Sequence, residues 1–158
     1  LRRGSAACYL DIHHPEIEEF LEIRKPSGDF NRKSLNLHHG INITDEFMDS
    51  VQKETDFDLQ WGGKVYTTVK AKDLWKKMLR VLFETGHPWM TFKDNANFRY
   101  SNSHEGIVHS SNLCTEIIEY TAPDEVAVCN LASLALPRFV ENGQFDHQAR
   151  ANARGTDS

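Results

Sequence analysis

The chain has 158 residues, of which 39% are hydrophobic and 26% are charged, proportions that are ordinary for a globular protein with a single core. Its net charge of −5 argues against a general nucleic-acid-binding protein, whose surface is basic, and no apolar run approaches the ~20 residues of a membrane span. Three cysteines do not make a secreted disulfide framework, so we expect a reducing, cytoplasmic setting in which a functional cysteine is catalytic.

The first half of the chain predicts strands that alternate with helices. A short apolar run predicts a strand at 7–12, and Pro15 suits the first turn of a helix that ends at Pro26. The clearest helix covers about 71–85, where large apolar side chains recur at helical spacing before Gly86, the expected C-terminal cap. Between these helices we predict, in order, a strand at 34–43, a short helix capped by Thr44, a strand at 57–61 and a turn at Gly62-Gly63.

The second half is predicted from turn residues and short apolar runs. In chain order we expect a short strand at 88–92, a polar loop at 94–109, a strand at 110–120, a turn at 122–124 and a strand running into a helix at 125–136. After residue 145 no bulky apolar side chain follows, so we expect 146–158 to be a disordered or atypical tail. Strands alternating with helices indicate an α/β fold with parallel strand pairing.

Three functional groups lie two residues apart in the strand predicted at 110–120. In an extended strand successive side chains point to opposite faces, so Asn112, Cys114 and Glu116 would share one face, with neighbours roughly 6–7 Å apart. Each buried polar group needs a partner, so a core strand rarely carries an amide, a thiol and a carboxyl in one row. The pattern is compatible with a site of chemistry or with a half-exposed polar face that has an incidental cysteine.

Two sequence runs around this row are long and specific. They are S-N-L-C-T-E-I at 111–117 and D-E-V-A-V-C-N-L-A-S-L at 124–134. Together they resemble the large (α) subunit of ribonucleotide reductases, most closely the class I form. Shorter matches extend the resemblance over nearly the whole chain: 6–21, where Glu16 replaces the usual aspartate, D-x-F-M at 45–48, T-G-x-P at 85–88 and K-D at 93–94.

The resemblance implies a ten-stranded α/β barrel in which a central finger loop carries the cysteine strand. Residues 1–145 would be part of that catalytic barrel domain. The family's α subunit is several times longer than this chain, and the sequence begins with neither an initiator methionine nor the apolar segment of a signal peptide. We therefore expect a piece of a longer reading frame that does not close the barrel alone.

The resemblance also implies a role for each site residue. Cys114 would carry a transient thiyl radical that abstracts the 3′ hydrogen of a ribonucleotide, because an S–H bond is weak enough to exchange a hydrogen atom with a ribose carbon. Glu116 would be the general base for the 3′-hydroxyl, and Asn112 would hydrogen-bond the sugar hydroxyls. Cys129 would be one half of a redox pair that supplies two electrons as a disulfide forms. The nucleotide site would be lined by Ser111, Asn112, Leu113, Cys114, Thr115 and Glu116, and the specificity loop would end at Arg2, Arg3 and Gly4.

The implied activity is the reduction of ribonucleoside diphosphates to deoxyribonucleotides for DNA synthesis. This activity needs partners that lie outside the segment. They are a small β subunit with a metal-based radical, thioredoxin or glutaredoxin as reductant, nucleotide effectors and the remaining α-chain segments. We expect no cofactor, DNA or membrane to bind this segment itself.

Other hypotheses are compatible with the residues. One is a non-catalytic fragment that only assembles with missing segments, and another is a cobalamin-dependent class of the same enzyme. A third is a cysteine hydrolase that pairs Cys114 with His104 or His109, although no orienting third group is evident. Eight histidines without an H-x-x-x-H or C-x-x-C motif do not predict a metal site, and we assign Cys8 to the core.

Overall fold

The computed structural model describes residues 3–154. Two compact units follow each other along the chain, with the boundary between Ala127 and Val128. None of the described helices is long and apolar enough to cross a membrane. The elements of the first unit are, in chain order, β1 (Ala7–Asp11), α1 (Ile17–Leu21), a 3₁₀ turn (Phe30–Arg32), β2 (His38–Ile43), α2 (Asp45–Lys53), β3 (Asp56–Trp61), β4 (Lys64–Lys70), α3 (Ala71–Thr85), β5 (Trp89–Phe92) and α4 (Lys93–Arg99).

Three parallel strands form the main sheet of the first unit. Their order is β1-β2-β5, and the register places Tyr9 beside Gly40 and Gly40 beside Trp89. The helices between these strands make the crossovers that parallel pairing requires. The predicted α/β fold with parallel pairing is confirmed, and the described residues form no closed barrel.

One face of this sheet is apolar and packs against the helices. Ile12, which follows β1, and Ile41 and Ile43 of β2 are fully buried there, because alternate residues of a strand face the same side. Burying a large apolar side chain stabilises a fold by roughly 1.5–3 kcal/mol, so this face holds the unit together. The helices and the β3–β4 hairpin add the other large core residues: Ile17, Leu21, Phe47, Phe57, Leu59, Leu74 and Met78.

The opposite face of the sheet is polar. Its alternate positions are Tyr9, Asp11, Gly40, Asn42 and Thr91. Asn42 is only 4% exposed, but its side chain is well bonded: it donates to Asp11 Oδ1 at 2.8 Å and to the His109 carbonyl at 2.9 Å. Its Oδ1 accepts from Thr91 Oγ1 at 2.7 Å, which makes burial of the amide tolerable. This face therefore makes polar contacts to the loop that follows α4.

Local signals begin and end two helices where the sequence predicts. The Thr44 hydroxyl accepts a hydrogen bond from the Phe47 N–H at 3.3 Å and caps α2. Gly86 has a φ of 72°, and its N–H donates to the Leu82 carbonyl at 2.8 Å, which ends α3. Both predictions are confirmed, together with the helix at about 71–85.

The β3–β4 hairpin contains one strand that the sequence analysis did not predict. Gly62 and Gly63 both have positive φ, 57° and 76°, as a two-residue hairpin turn requires, so the predicted turn is confirmed. β4 leaves this turn and pairs antiparallel with β3. Val65, Tyr66 and Val69 give β4 a strand propensity that could have identified it.

Three predictions for the second half are wrong: the loop at 94–109, the strand at 110–120 and the strand running into a helix at 125–136. The first of these segments starts within α4. In the last, Val126, Val128 and Leu131 are 82%, 75% and 94% exposed. Their apolar character suggested a strand, but a strand is stable only when a sheet or a helix covers it, and the described residues provide no such cover.

The second unit is small. It contains a 3₁₀ turn (Leu136–Phe139), the strands β6 (Val140–Glu141) and β7 (Gln144–Phe145), and the helix α5 (His147–Arg154). Asn142 and Gly143 both have positive φ and join β6 to β7, as Asn-Gly commonly does in tight hairpins. The Asp146 carboxylate accepts the Gln148 and Ala149 N–H groups at 2.9 Å and starts α5. The division into a catalytic region at 1–145 and an atypical tail stays a prediction.

A histidine lies in the apolar core. His39 is fully buried, and neither ring nitrogen has a hydrogen-bond partner among the described residues. Its ring packs edge-on against Phe20, with 5.2 Å between centroids, and stacks on His87 at 5.6 Å. Burial, together with the charges of His87 and Arg24, lowers the pKa of His39 to about 4. The nearby Leu21 carbonyl opposes this shift, but it forms no hydrogen bond with the ring. The imidazole is therefore neutral at neutral pH.

We predict that His39 makes the chain less stable in acid. The unfolded chain binds a proton here near pH 6.5 and the folded chain only near pH 4, so stability falls as the pH drops through this window. At about 1.4 kcal/mol per pKa unit, the loss is about 3 kcal/mol. Urea unfolding between pH 7 and pH 4 measures it, and the variant His39→Leu should lose this part of the pH dependence.

The matched control is His104→Gln, at an exposed loop position. This variant should keep the pH dependence of the parent chain. The prediction is contradicted if His39→Leu shows the same slope of unfolding free energy against pH as the parent.

Candidate active site around Cys114

Cys114 lies in a tight turn and not in a strand. The Thr115 N–H donates to the Asn112 carbonyl at 3.3 Å, which places Cys114 at a central position of the turn. The Asn112 side-chain oxygen accepts the N–H groups of Glu116 and Ile117, both at 3.1 Å. An asparagine that binds the following backbone in this way offers it an alternative to a sheet ladder. The predicted row of Asn112, Cys114 and Glu116 on one strand face is therefore wrong.

Thr115 has an unusual backbone conformation for its residue type. Its φ is 67°, in the left-handed region where a β-branched residue is strained. Its Oγ1 donates to the Cys114 carbonyl at 2.6 Å. Strain of this kind persists only where the surrounding contacts impose it, and it is concentrated at functional sites. The contacts around Cys114 therefore impose one defined shape on the turn.

Side chains of the sheet and of α4 hold the loop that leads into this turn. Asn97 binds both backbone groups of Val108: its Nδ2 donates at 3.0 Å and its Oδ1 accepts at 2.7 Å. Asn42 holds the next residue of the loop through its carbonyl. The Tyr9 hydroxyl donates to the Asn112 carbonyl at 2.7 Å. The loop is therefore fixed from three different elements against the polar face of the sheet.

An ion pair supports this face from the edge strand β1. Lys93 Nζ lies 3.0 and 2.9 Å from the two carboxylate oxygens of Asp11, and Asn42 donates to the same carboxylate. Burial raises the pKa of Asp11, but the hydrogen bonds from Asn42 and Lys93 and the Lys93 charge outweigh burial and hold this pKa below its ordinary value. An ionised Asp11 thus orients the Asn42 amide toward the loop.

The Cys114 side chain is exposed and borders a groove of about 460 Å³. The other groups lining this groove are mainly apolar: Leu82, Pro88, Trp89, Met90, Leu113 and Thr115. A second cavity of about 330 Å³ is bordered by Ser111, Thr115 and Ile117 together with Asn42 and Lys93. Both volumes are in the range of small-molecule sites, so the thiol opens onto a space in which a ligand can approach it.

Cys114 and Glu116 share a neighbour in Tyr9. Burial raises the pKa of Tyr9, and the nearby Cys114 and Glu116 raise it further, because their anionic forms disfavour a phenolate. The thiol and the carboxyl therefore lie near one hydroxyl, although not in the predicted row. Tyr9 is a site residue that the sequence analysis did not predict. The available signal was the alternation of polar Tyr9 and Asp11 in an otherwise apolar strand, which marks a second, polar face.

The remaining predicted site residues lie elsewhere. Arg3 and Gly4 are exposed in a segment without regular structure, and Arg2 lies outside the described residues. Cys129 is exposed and belongs to the second unit. The assignment of Cys8 to the core is wrong, because Cys8 is exposed on the edge strand β1.

Among the described residues, neither histidine considered for a hydrolase has a hydrogen bond to Cys114. The His104 imidazole lies 3.2 Å from a Glu105 carboxylate oxygen, and His109 is bound to Asn42 through its backbone carbonyl. This geometry does not support a cysteine–histidine dyad. Across residues 3–154, no group of three or more metal-binding side chains is placed to hold an ion.

Comparison with known proteins identifies a family over almost the whole chain. The family model for the ribonucleotide reductase barrel domain matches residues 1–155. A Frog virus 3 protein, named for the large subunit of ribonucleoside-diphosphate reductase, is 46% identical over 151 residues, covering 92% of this chain and 27% of the relative. The large subunit of the Trypanosoma brucei brucei reductase is 38% identical over 172 residues, covering 94% of this chain and 20% of the relative.

A solved structure agrees with these sequence matches. The class Id ribonucleotide reductase α subunit of Actinobacillus ureae covers 77% of this chain with a TM-score of 0.61 and 31% identity, and the match spans 21% of that subunit. The chain thus spans between 20% and 27% of these relatives. The resemblance read from S-N-L-C-T-E-I and its flanking motifs is confirmed. This chain belongs to the ribonucleotide reductase family, as a part of the barrel domain of the large (α) subunit.

Proposed function

We propose that the complete protein containing this chain reduces ribonucleoside diphosphates to deoxyribonucleotides, with Cys114 as the hydrogen-abstracting residue. The observation that carries the proposal is the turn at Cys114, which opens the thiol onto a groove. The turn also brings Glu116, like Cys114, near the hydroxyl of Tyr9. Family membership supports the reaction class, since the relatives are named as ribonucleoside-diphosphate reductases.

The proposed reaction begins with hydrogen abstraction. A thiyl radical at Cys114 takes the hydrogen atom from C3′ of the ribose, which leaves a thiol and a carbon radical. The Glu116 carboxylate accepts the proton of the 3′-hydroxyl as general base, and the 2′-hydroxyl takes a proton from a thiol of the pair that includes Cys129 and leaves as water. The Nδ2 group of Asn112 donates to a sugar hydroxyl, because its Oδ1 is already bound by the backbone.

Reduction then requires two electrons. Cys129 and a second cysteine outside this chain supply them by closing to a disulfide: one thiol hydrogen leaves with the 2′-hydroxyl as water, and the other takes its place at C2′. Glu116 returns its proton to the 3′-oxygen. Cys114 returns its hydrogen atom to C3′ and becomes a radical again. In this proposal thioredoxin or glutaredoxin reduces the disulfide, and a metal-containing β subunit is the source of the radical. A cobalamin-dependent source is the alternative, with the same residues in the same roles.

The proposal also covers effector control, the completion of the barrel and the cellular location. Arg2, Arg3 and Gly4 would be the end of a specificity loop that couples bound nucleotide effectors to the choice of substrate. The barrel of ten strands, with the Cys114 turn on its central finger loop, would be completed by the remaining α-chain segments. The polar face of the sheet, against which the turn lies, supports an interior position for that face. A cytoplasmic location is proposed with it.

By itself, this chain is proposed to be an assembly unit and not an active enzyme. Phe83 is 93% exposed, Phe98 is 83% exposed and Leu131 is 94% exposed. Large apolar side chains left open to this extent favour cover by another protein segment, and the remaining α-chain segments would provide it. Deoxynucleotide formation by the isolated 158-residue chain would contradict this part of the proposal.

Replacing the reactive thiol tests the proposed function directly. In a complete reductase that carries this segment, Cys114→Ser should reduce turnover to below about a thousandth of the parent's, because a hydroxyl O–H bond is too strong to exchange its hydrogen atom. Nucleotide binding should stay within about twofold, since the groove is unchanged in shape. Cys8→Ser, on the exposed edge strand, is the control and should keep full activity. Appreciable deoxynucleotide formation by Cys114→Ser would remove the central role of this residue.

Replacing Cys129 should separate the two halves of the reaction. In Cys129→Ser the hydrogen-abstraction step remains and productive reduction stops, because no disulfide forms. The measurement uses substrate labelled with tritium at C3′, from which label should be released while deoxynucleotide stays at background. Normal product formation by this variant would show that Cys129 does not supply the electrons.

A further inference from the structure

We propose that Tyr9 is a positioning residue for Cys114: its hydroxyl fixes the turn that presents the thiol, and Gly40 provides the space in which its ring lies. This inference deepens the proposed function and rests on it only for the statement that Cys114 reacts. The anchoring is a property of this chain and is measurable without turnover.

The hydrogen bond of Tyr9 goes to the atom that closes the turn. Tyr9 donates to the Asn112 carbonyl oxygen at 2.7 Å, and the same oxygen accepts the Thr115 N–H at 3.3 Å. In the sequence, Cys114 lies between Asn112 and Thr115, the two residues that this turn bond joins. Movement of the phenol therefore moves the carbonyl on which the turn is built. The bond from Asn42 reaches the loop at His109, upstream of the turn, so it restrains the approach and not the turn itself.

Gly40 is a glycine because of the tyrosine ring beside it. The two residues are laterally paired in the sheet. A Cβ atom at Gly40 would lie 2.5 Å from Cε1 and 2.8 Å from Cδ1 of Tyr9, which is far inside van der Waals contact. Gly40 is not among the residues with positive φ, so its backbone conformation does not require glycine. The missing side chain thus serves to seat the ring over the strand.

The surroundings of the phenol keep it in the donating form. Its burial and the nearby charges of Cys114 and Glu116 all raise the pKa of Tyr9 above its ordinary value of 10.0. A phenolate has no proton to donate to a carbonyl, and the raised pKa keeps the phenol protonated further into the alkaline range.

Amide hydrogen exchange on the full 158-residue chain tests the anchoring. In Tyr9→Phe we expect the amides of Thr115, Glu116 and Ile117 to exchange about five- to tenfold faster, the effect of losing one hydrogen bond. The sheet amides of Ile41 and Ile43 serve as an internal measure of folding and should be unchanged. Tyr66→Phe, at an exposed position of β4, is the matched control and should leave all of these rates unchanged.

The variant Gly40→Ala tests the role of the ring seat. Its methyl group displaces the ring, so the turn amides should again exchange faster. In the Tyr9→Phe background, where no hydroxyl remains to be displaced, the same change should add less than about twofold. Equal effects of Gly40→Ala in the two backgrounds would show that Gly40 does not act through Tyr9.

A titration measures the electrostatic coupling of the Tyr9 phenol to Cys114 and Glu116. The pKa of Tyr9 is obtained from ultraviolet spectra of phenolate formation, as the difference between parent and Tyr9→Phe. Cys114→Ser and Glu116→Gln should each lower this pKa, because each removes a negative charge. Unchanged turn exchange in Tyr9→Phe, or an unchanged Tyr9 pKa in both charge variants, would overturn the proposal.

Kinetics in a complete reductase connect the anchor with the reaction. Tyr9→Phe should lower kcat by about five- to tenfold with KM unchanged, because the turn is mispositioned and the substrate contacts remain. A loss confined to KM would contradict a positioning role. If Cys114→Ser proves active, the proposed function fails while the exchange result for Tyr9 still stands, so the two failures are distinguishable.

Discussion

The two oxygen atoms of Asn112 organise the segment that carries Cys114. The carbonyl oxygen accepts the Tyr9 phenol and the N–H that closes the turn, and the side-chain oxygen accepts the next two backbone N–H groups. A single residue thereby satisfies the backbone groups that a strand would have paired with a neighbour. The exposed position of the thiol depends on this arrangement, because an extended backbone would have sent Cys114 along one face of a sheet.

The two faces of the three-stranded sheet have different roles: one packs into the core and the other holds the loop that carries Cys114. Its apolar face, with Ile41 and Ile43, is buried against helices and supplies the core. Its polar face carries Tyr9 and Asn42, which bind the loop on which the thiol lies. Ionised Asp11 supports this polar face through hydrogen bonds, so the order of the face does not depend on hydrophobic burial. Because successive side chains of a strand point to opposite faces, neighbouring residues of one strand contact the core and the loop in turn.

The parts of the fold that the sequence predicts well depend on short-range signals. The α3 helix has a broad apolar stripe and ends at Gly86, and Thr44 caps α2 by bonding a residue three positions on. The turn at Cys114 was missed because its cause is a side chain that bonds its own backbone, and period-two spacing does not reveal this. Tyr9 was missed because its partner, Asn112, lies 103 residues away. The family resemblance identified Cys114 and Glu116 as neighbours, whereas the geometry that joins them comes from the fold.

Neighbouring positions of β2 meet different requirements. His39, Ile41 and Ile43 are buried in the core, so a charged or oversized replacement at these positions destabilises the fold. Gly40 lies against the Tyr9 ring and Asn42 binds the loop, so replacements at these two positions act first on the loop and the turn that it leads to. Selection for solubility alone would therefore preserve one side of this strand and let the other side drift. A chain that folds normally but holds the Cys114 loop loosely is the expected product of such drift.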